Sequence, residues 1–385
     1  MEFSKRTRVL VISHGFRLES GGPAQDIRDY LLDKAGEIVY IDHPFPHANY
    51  NSSHFFLYKN GGLKLVKKVN IFPFLEPLRY FQQLLITFSF LLFSKDEHDV
   101  CFALDNLSVF AVSLFRKIGK VKKLVYYSID YSPQRFNGVF MNSLYHALDR
   151  FACRNSDVNW VVAEHAVEAR KKNGVDLEKS SPFKEVPMGF RKSGLRVQPL
   201  SKVGLYNLVY MGTVLEKQGV QLVIESLPKL LAEFPSLHLT IVGTGDYENK
   251  LKHMVKELKV MKHVSFKGFI GDRKEMIELI SGGSIGLAPY KPIPGSFSYW
   301  SDPSKIKIYL GCGLPVITTN VTTFSKVLEK AEAGIVIDYT VEQFCKAIET
   351  LLGNKARYSE YRKHALVLSE NYQTEKILKA ALEEL

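Results

Sequence analysis

Short apolar runs alternate with amphipathic stretches along the first half of the chain, a pattern typical of a parallel sheet covered by helices. The apolar runs predict strands over Arg8–Ser13, Glu37–Ile41, Asp99–Ala103, Lys123–Ser128 and Asn159–Val162. The stretches between them predict helices over Pro23–Lys34, Leu107–Lys117 and Asn142–Arg154. Residues 43–75 are rich in Asn, Pro and His and receive no assignment.

The alternation stops over residues 187–206, which we interpret as a linker, and then resumes. The strands predicted after the linker are Asn207–Met211, Leu237–Val242, Val264–Phe266, Ile285–Ala288, Pro315–Thr318 and Gly334–Ile337, with helices over Val220–Glu233 and 246–258. The pattern predicts an α/β protein with two Rossmann-like, doubly wound parallel-sheet domains, residues 1–190 and 206–373, that face a central cleft. A final helix, 374–385, is expected to pack back on the first domain.

The most apolar window of the chain, Tyr80–Ser94, contains no charged residue. It is shorter than the roughly 20 residues that a membrane-spanning helix needs. We interpret it as a helix buried between the layers of the first domain. The alternative is a helix that lies on a membrane surface, because basic residues precede it: Lys59, Lys64, Lys67, Lys68 and Arg79.

Composition and charge narrow the possible classes of protein. Of 385 residues, 46% are apolar and 24% are charged, which favours a globular protein over a disordered or fibrous one. The net charge is +11, and residues 1–200 contribute +8 of it (28 Lys and Arg less 20 Asp and Glu), an excess that attracts anionic partners. The four cysteines form no plausible disulfide framework, and we interpret the amino terminus as a strand rather than a signal peptide. We therefore expect a cytoplasmic protein.

Glycine turns follow two strands of the second half. Gly212 comes directly after Asn207–Met211, and Gly243 comes directly after Leu237–Val242. A glycine at such a place lets the backbone approach a phosphate at the N-terminus of the next helix. Neither turn completes a GxGxxG or a GxxxxGK(S/T) pattern, which argues against an ordinary dehydrogenase and a P-loop NTPase.

A third candidate phosphate site lies further along the chain. Asp302-Pro303-Ser304 is expected to start a helix, with Lys305 in the first turn. The helix dipole disfavours a lysine there by about 0.3–1 kcal/mol, and a bound diphosphate would reverse that effect. We interpret the nearby Lys307 as a solvated residue.

The segment DPSKIKIYLGCGLPVITT resembles the C-terminal domain of GT-B glycosyltransferases, especially family 4. Three further segments of that resemblance occur in the expected order along the chain: MGTVLEKQGV, IVGTGDYENKL and FKGFIGDRKEMIELI. The resemblance implies a GT-B fold whose second domain holds a nucleotide-sugar donor, by default a UDP sugar, with no separate cofactor. The predicted donor-binding residues are Gly212, Thr213, Lys217, Gly243, Phe269, Tyr290, Asp302, Ser304 and Lys305.

In the first half, SHGFR (Ser13–Arg17) and KLVYYSID (Lys123–Asp130) are similar to membrane-associated glucuronosyltransferases of exopolysaccharide synthesis. That resemblance implies that Asp130 is the general base, a role open to any carboxylate at the C-terminal end of a strand. The alternative is that Asp130 only caps the following turn. His14 is a second catalytic candidate that contacts acceptor or sugar, or else a buried histidine hydrogen-bonded to the backbone. The acceptor-binding candidates are Arg17, Gly21 and Gly22.

The chain departs from family 4 at two donor contacts. Ile308 occupies the position of a glutamate that holds the donor ribose in many of those enzymes, and Phe269 occupies a position that often reads the base. An inverting mechanism with Asp130 as base fits these residues better than retaining chemistry. The sequence shows no suitable DxD motif and no His/Cys ligand spacing, so we expect no metal requirement.

The function expected from these features is sugar transfer to a hydroxyl of a lipid-linked or growing glycan, in polysaccharide biosynthesis. The protein would be cytoplasmic or peripheral on the inner face of the membrane, where an anionic surface is a candidate partner. A nucleotide-sugar 2-epimerase on the same fold is an alternative, but it needs more acid and base groups than we find. A non-enzymatic basic binder of membrane or nucleic acid is another, yet no RNA-binding aromatic face is present, so nucleic acid is not an expected partner.

Overall fold

The computed structural model describes residues 1–18, 21–73, 75–136, 138–293, 296–300 and 302–385. The chain divides into two compact units. The first unit comprises Met1–Pro187 and Leu378–Leu385, and the second comprises Met188–Ile377. The segment interpreted as a linker is therefore part of the second unit from Met188 onward.

The first unit contains an eight-stranded sheet. Its strands are β1 (Arg8–Gly15), β2 (Glu37–Pro44), β3 (Ser52–Lys59), β4 (Gly62–Asn70), β5 (His98–Ala103), β6 (Val121–Ser128), β7 (Val158–Val161) and β8 (Phe183–Glu185). Their order is β4-β3-β2-β1-β5-β6-β7-β8, and all pairs are parallel except β2–β3 and β3–β4. The order changes direction between β1 and β5, which is the switch point of this sheet.

The antiparallel strands β3 and β4 occupy the segment that the sequence left unassigned. Asn60 and Gly61 connect them with φ angles of 49° and 80°. Two successive positive φ angles are typical of a tight hairpin turn, and Asn-Gly is a strong sequence signal for it. The hairpin was therefore readable from this dipeptide.

The helices of the first unit are α1 (Pro23–Leu31), α2 (Glu76–Phe93), α3 (Asn106–Arg116), α4 (Val139–Asn155) and α5 (His165–Lys172). The expectation that the apolar segment Tyr80–Ser94 is buried was wrong. Helix α2 buries Gln83, Thr87 and Leu91, whereas most of its apolar side chains are partly or largely exposed. Within the described parts of the chain, no helix combines the length and the apolar content that crossing a bilayer requires.

The second unit contains a six-stranded sheet in which every pair is parallel. Its strands are β9 (Asn207–Met211), β10 (His238–Val242), β11 (Val264–Gly268), β12 (Ile285–Ala288), β13 (Val316–Thr319) and β14 (Gly334–Ile337). Their order, β11-β10-β9-β12-β13-β14, is the order of Rossmann domains, with the switch point between β9 and β12. The predicted doubly wound α/β class is confirmed.

The helices that follow these strands begin with α6 (Val220–Glu233), α7 (Glu248–Glu257), α8 (Arg273–Ser281), α9 (Ser304–Gly311) and α10 (Phe324–Lys330). The remaining helices are α11 (Val341–Leu352), α12 (Lys355–Ser369) and α13 (Thr374–Glu383). Helix α6 follows the usual rule for a surface helix, since its buried positions are mainly apolar, including Leu222, Val223 and Leu227.

Candidate functional site

The switch point of the second sheet holds a half-buried lysine, Lys305. Lys305, in the first turn of α9, donates from Nζ to Gln218 Oε1 at 2.6 Å and lies 3.5 Å from the hydroxyl of Tyr210. Its ammonium also lies 4.6 Å from the ring centre of Tyr210 and 5.2 Å from that of Tyr290. These contacts place the charge beside the C-terminal ends of β9 and β12, where ligands of such sheets bind.

No carboxylate is paired with Lys305 among the residues that the structure describes. Burial lowers the pKa of this lysine to about 7. Removing an ammonium from water without an anionic partner is unfavourable, and a phosphate group would supply that partner. The site therefore has the electrostatics of an anion site without its anion.

Backbone features around Lys305 leave room for such an anion. Gly212, directly after β9, has φ of 137°, and a Cβ there would lie 3.0 Å from Lys305 Nζ. Ser304 is the first residue of α9, and the residue before it, Pro303, provides no side-chain cap. The N-terminal amides of a helix favour negative charge when they lack a cap.

Two more predicted donor residues lie in the loop after β9. Thr213 is exposed beside Gly212. Lys217 is half-buried, its carbonyl accepts from the amide of Lys291 at 3.0 Å, and its side chain bonds to no other described residue. Lys217 is therefore a second cation available to a phosphate.

Gly243 has a structural explanation that the sequence did not reveal. Its φ is 132°, and a Cβ there would lie 2.0 Å from the carbonyl oxygen of Gly212. The loops after β9 and β10 pack too closely for any side chain at this position. The amide of Gly243 donates to Gly268 at 2.8 Å, and the next residue, Phe269, exposes 55% of its surface at the same edge of the sheet.

Asp302 and Lys307 form an ion pair that the sequence did not predict. The carboxylate of Asp302 pairs with Lys307 Nζ and accepts from the amide of Met188 at 2.6 Å. Lys307 also donates to the carbonyl of Met188 at 2.6 Å and is fully buried, so it is not a solvated residue. These contacts use Asp302 to hold Met188 and the start of α9, and its role in donor binding stays a prediction.

The remaining donor-side positions are apolar in character. Tyr290 is 3% exposed and presents its ring to Lys305, while its carbonyl accepts from Thr319 at 2.6 Å. Ile308 packs against the core cluster that contains Tyr309. At the position of the glutamate that the resemblance implies, the site therefore offers an apolar side chain.

The switch point of the first sheet also holds a cation, His14. Its Nδ1 lies 2.9 Å from Asp105 Oδ2, and its Nε2 lies 3.1 Å from Gln83 Oε1. The amide of Gln83 is oriented by a 2.6 Å bond from Nε2 to the carbonyl of Pro44, so its oxygen faces His14 as an acceptor. Both ring nitrogens of His14 therefore donate, which requires the imidazolium.

The environment of His14 supports this protonation state. Burial lowers its pKa, but the charge of Asp105 and the hydrogen bonds to Asp105 and Gln83 outweigh burial and leave the pKa raised. Burial acts against Asp105 as well, yet His14 and the bonds from Ser108 bring the pKa of that carboxyl down to about 2. These bonds go to side chains, so the alternative that His14 is hydrogen-bonded to the backbone is wrong, whereas its contact with acceptor or sugar stays a prediction.

Asp130 follows β6 and remains a candidate base. Its carboxylate is half-buried and makes no hydrogen bond or ion pair with other described residues. Burial raises its pKa, and the charge of Arg135 partly opposes that shift. The next helix begins without a cap from Asp130, since Gly138 precedes α4. The structure therefore does not favour the alternative that Asp130 is a turn cap.

The loop that carries Asp130 is held in place by α4. Asn142 Oδ1 accepts from the amide of Arg135 at 2.9 Å, and its Nδ2 donates to the carbonyl of Pro133 at 3.1 Å. The guanidinium of Arg135 lies 5.9 Å from the ring centre of Phe45. Sequence reasoning missed Arg135 and Gln218, because neither belongs to a recognisable motif.

The acceptor-binding candidates lie at the start of α1. Arg17 is exposed, Gly21 has φ of 82° with open space around it, and Gly22 immediately precedes α1. Nothing in these positions tests contact with an acceptor, so the acceptor-binding role of Arg17, Gly21 and Gly22 stays a prediction. In the parts of the chain that are described, no group of three or more His, Cys, Asp or Glu side chains is placed to hold a metal ion.

Comparisons with known proteins find similarity to glycosyltransferases in the second unit. Residues 206–354 match the family described as Glycosyl transferases group 1. An uncharacterized glycosyltransferase of Haemophilus influenzae is 24% identical over 181 residues, which are 46% of this chain and 48% of that protein. Phosphatidyl-myo-inositol mannosyltransferase of Mycolicibacterium smegmatis is 26% identical over 165 residues, 42% of this chain and 36% of that protein. The chain thus matches less than half the length of these curated relatives.

The whole chain is similar in structure to HepE of Anabaena, solved in complex with UDP. The TM-score is 0.69 and the identity 14%, over 98% of this chain and 100% of that chain. At this identity the likeness shows the fold, which is GT-B.

Proposed function

Since residues 206–354 belong to the group 1 glycosyltransferases on a GT-B fold, we propose that this protein transfers a sugar from a UDP sugar to an acceptor hydroxyl. The single observation that carries the proposal is Lys305, a buried ammonium without an anionic partner at the switch point of a Rossmann-type sheet. In this proposal residues 206–373 bind the donor and residues 1–190 bind the acceptor.

The donor site would hold the diphosphate between cations and amides. Lys305 and Lys217 provide the charges, and Gly212 with Ser304 provides backbone approach. The exposed ring of Phe269 is suited to stack on the nucleotide base. The choice of UDP is supported by the likeness to HepE, which has been solved with UDP and with UDP-glucose.

The reaction would use Asp130 as general base. Its carboxylate takes the proton from the acceptor hydroxyl, the hydroxyl oxygen bonds to the anomeric carbon, and the bond from that carbon to the UDP oxygen breaks. The negative charge that develops on the departing diphosphate is stabilised by Lys305 and Lys217. Direct attack of this kind inverts the anomeric configuration. Because the lysines supply the positive charge, we expect turnover to persist in EDTA.

The acceptor we propose is a lipid-linked or growing glycan, in polysaccharide biosynthesis at the inner face of the membrane. The similarity to phosphatidyl-myo-inositol mannosyltransferase supports a lipid acceptor. The exposed apolar side chains of α2 also support work near lipid.

Calorimetric titration with UDP tests the donor site. Lys305→Ala removes one charge-assisted contact, worth about 1.5–3 kcal/mol, so UDP affinity should fall roughly tenfold to 150-fold. Lys326→Ala, at an exposed lysine of α10, is the matched control and should bind UDP like the unaltered protein. Equal affinity of a folded Lys305→Ala protein would overturn the assignment.

A further inference from the structure

Helix α2 turns its polar residues toward the interior of the first unit. Gln83 bonds to His14 and to the carbonyl of Pro44, and Thr87 Oγ1 lies 2.9 Å from Nε2 of His43. These glutamine and threonine side chains are only 1% and 2% exposed. The polar side of the helix is thus fixed inward by specific hydrogen bonds.

The opposite side of α2 is apolar and exposed. Leu78, Phe81, Leu85 and Leu92 are 51%, 56%, 46% and 59% exposed. At about 100° per residue, these positions fall within a sector of about 60°, roughly opposite Gln83 and Thr87. A surface helix ordinarily has the reverse polarity, with its apolar side on the core.

Strand β4 extends this surface. Its Leu65 and Lys67 pair with Leu57 and Phe55 of β3, and the ring of Phe55 lies 5.6 Å from that of Phe90 on α2. The register therefore puts alternate residues of β4 on the helix side of the sheet, next to α2. We define the apolar face by its exposed side chains: Leu65, Val69, Leu75, Leu78, Phe81, Leu85, Leu92 and Phe93.

Positive charge accompanies the apolar face. Residues 59–95 contain six basic residues and one acidic residue, Glu76. On β4, Lys67 lies on the helix side with Leu65 and Val69, whereas Lys64 and Lys68 lie on the other side of this edge strand. All three lysines are exposed, and their ammonium groups pair with no carboxylate in the described parts of the chain. Such a combination matches an anionic lipid surface, which offers hydrocarbon to the apolar side chains and phosphate to the lysines.

We propose that the first unit binds an anionic phospholipid bilayer through the apolar face, with α2 lying in the plane of the headgroups. A protein partner would meet the exposed leucines equally well, but the lysines beside them favour lipid. The inference goes beyond the proposed transfer reaction, because the face contains none of the donor, acceptor or base residues. Lipid binding and UDP binding are therefore measured separately, and either proposal can fail while the other holds.

Co-sedimentation with vesicles tests the proposal. The full chain should bind phosphatidylglycerol-containing vesicles at low salt, bind less as salt is raised, and bind pure phosphatidylcholine vesicles weakly. The double variant Phe81→Glu/Leu85→Glu should lower binding at least tenfold. The triple variant Lys64→Ala/Lys67→Ala/Lys68→Ala should lower it roughly tenfold to a hundredfold at low salt.

Matched controls lie on the second unit. Val367→Glu places a glutamate at another exposed apolar residue, and Lys346→Ala/Lys355→Ala/Lys363→Ala removes three exposed lysines. Both controls should bind vesicles like the unaltered chain, and all variants should keep their circular dichroism spectrum and UDP affinity.

Two results would overturn the proposal. One is equal vesicle binding by the Phe81→Glu/Leu85→Glu protein and the unaltered chain, or no binding by either. The other is a concentration-dependent dimer in light scattering that Phe81→Glu dissociates, with no lipid binding. That outcome would identify the face as an interface between copies.

Discussion

Each of the two sheets has a basic side chain at its switch point, His14 in the first and Lys305 in the second. The surroundings of these two side chains differ. His14, at the end of β1, has an aspartate 2.9 Å away and a raised pKa. Among the described residues, Lys305, beside the end of β9, contacts a glutamine amide oxygen, a tyrosine hydroxyl and two rings but no carboxylate, and burial lowers its pKa to about 7.

The difference separates a structural charge from a binding charge. His14 and Asp105 neutralise each other, and their hydrogen bonds are used to hold Gln83 of α2. No described carboxylate balances the charge of Lys305, and burial makes that charge unfavourable in the protein without ligand. Perturbed ionisable groups without a protein partner are candidates for ligand contact, whereas paired ones are commonly structural. The comparison therefore supports the proposal that the diphosphate binds at the switch point of the second unit.

The largest expected effect tests which acidic or basic group of the first unit acts in the chemical step. Asp130→Asn keeps the shape of the side chain but removes its basicity, so turnover should fall about 10²–10⁴-fold while UDP affinity is unchanged. His14→Gln, in contrast, should lower the free energy of unfolding and leave the turnover per folded molecule largely unchanged. Turnover with a UDP sugar, calorimetry and urea unfolding are the measurements.

The same pair of variants can break the comparison. Near-normal turnover of Asp130→Asn would remove Asp130 as the base. A loss of turnover in a fully stable His14→Gln protein would show that His14 is more than a structural cation.

A second effect, of intermediate size, follows from the pKa of Lys305. The protonated lysine binds the diphosphate, so binding takes up a proton wherever the free lysine is neutral. UDP affinity should therefore fall as pH rises above about 7, by up to about tenfold per pH unit between pH 7 and 9. The terminal phosphate of UDP is already ionised in this range, since its pKa is about 6.

Calorimetry in buffers of different ionisation enthalpy measures both the affinity and the proton uptake. Lys305→Arg is the control, because arginine stays charged throughout this range. Its UDP affinity should vary little from pH 7 to 9. A flat profile in the unaltered protein would contradict the lowered pKa.

The candidate donor residues around Lys305 have local sequence signals. Gly212, Thr213 and Lys305 each follow a strand or open a helix, and such signals lie within a few neighbouring residues. The contact between Asp302 and Met188 could not be predicted, because the two residues are more than a hundred positions apart and no pattern links them. The Asn60-Gly61 hairpin shows the opposite case, a local signal that was present and not used.

Helix α2 shows why the rest of the fold was harder to predict. Its apolar composition indicated burial, on the assumption that apolar sides face the core. Its orientation is instead fixed by His14 and His43, which are separated from Gln83 and Thr87 by at least forty positions. The direction in which a helix faces is a tertiary property, and here hydrogen bonds to two histidines decide it.

The smallest effect tests the comparison by giving Lys305 the partner that His14 already has. Gln218 Oε1 lies 2.6 Å from Lys305 Nζ, so Gln218→Glu places a carboxylate there with little change of shape. The pair should raise the pKa of Lys305 and stabilise the second unit by up to about 1 kcal/mol. The same carboxylate competes with the diphosphate and repels it, so UDP affinity should fall roughly tenfold. Gln343→Glu, at an exposed glutamine in the first turn of α11, should leave the UDP titration unchanged, and its carboxylate should stabilise the start of that helix by about 0.3–1 kcal/mol. If Gln218→Glu stabilises the protein and leaves UDP affinity intact, the diphosphate does not use the charge of Lys305. A gain in stability together with a loss of UDP affinity would show that the diphosphate binds beside Lys305.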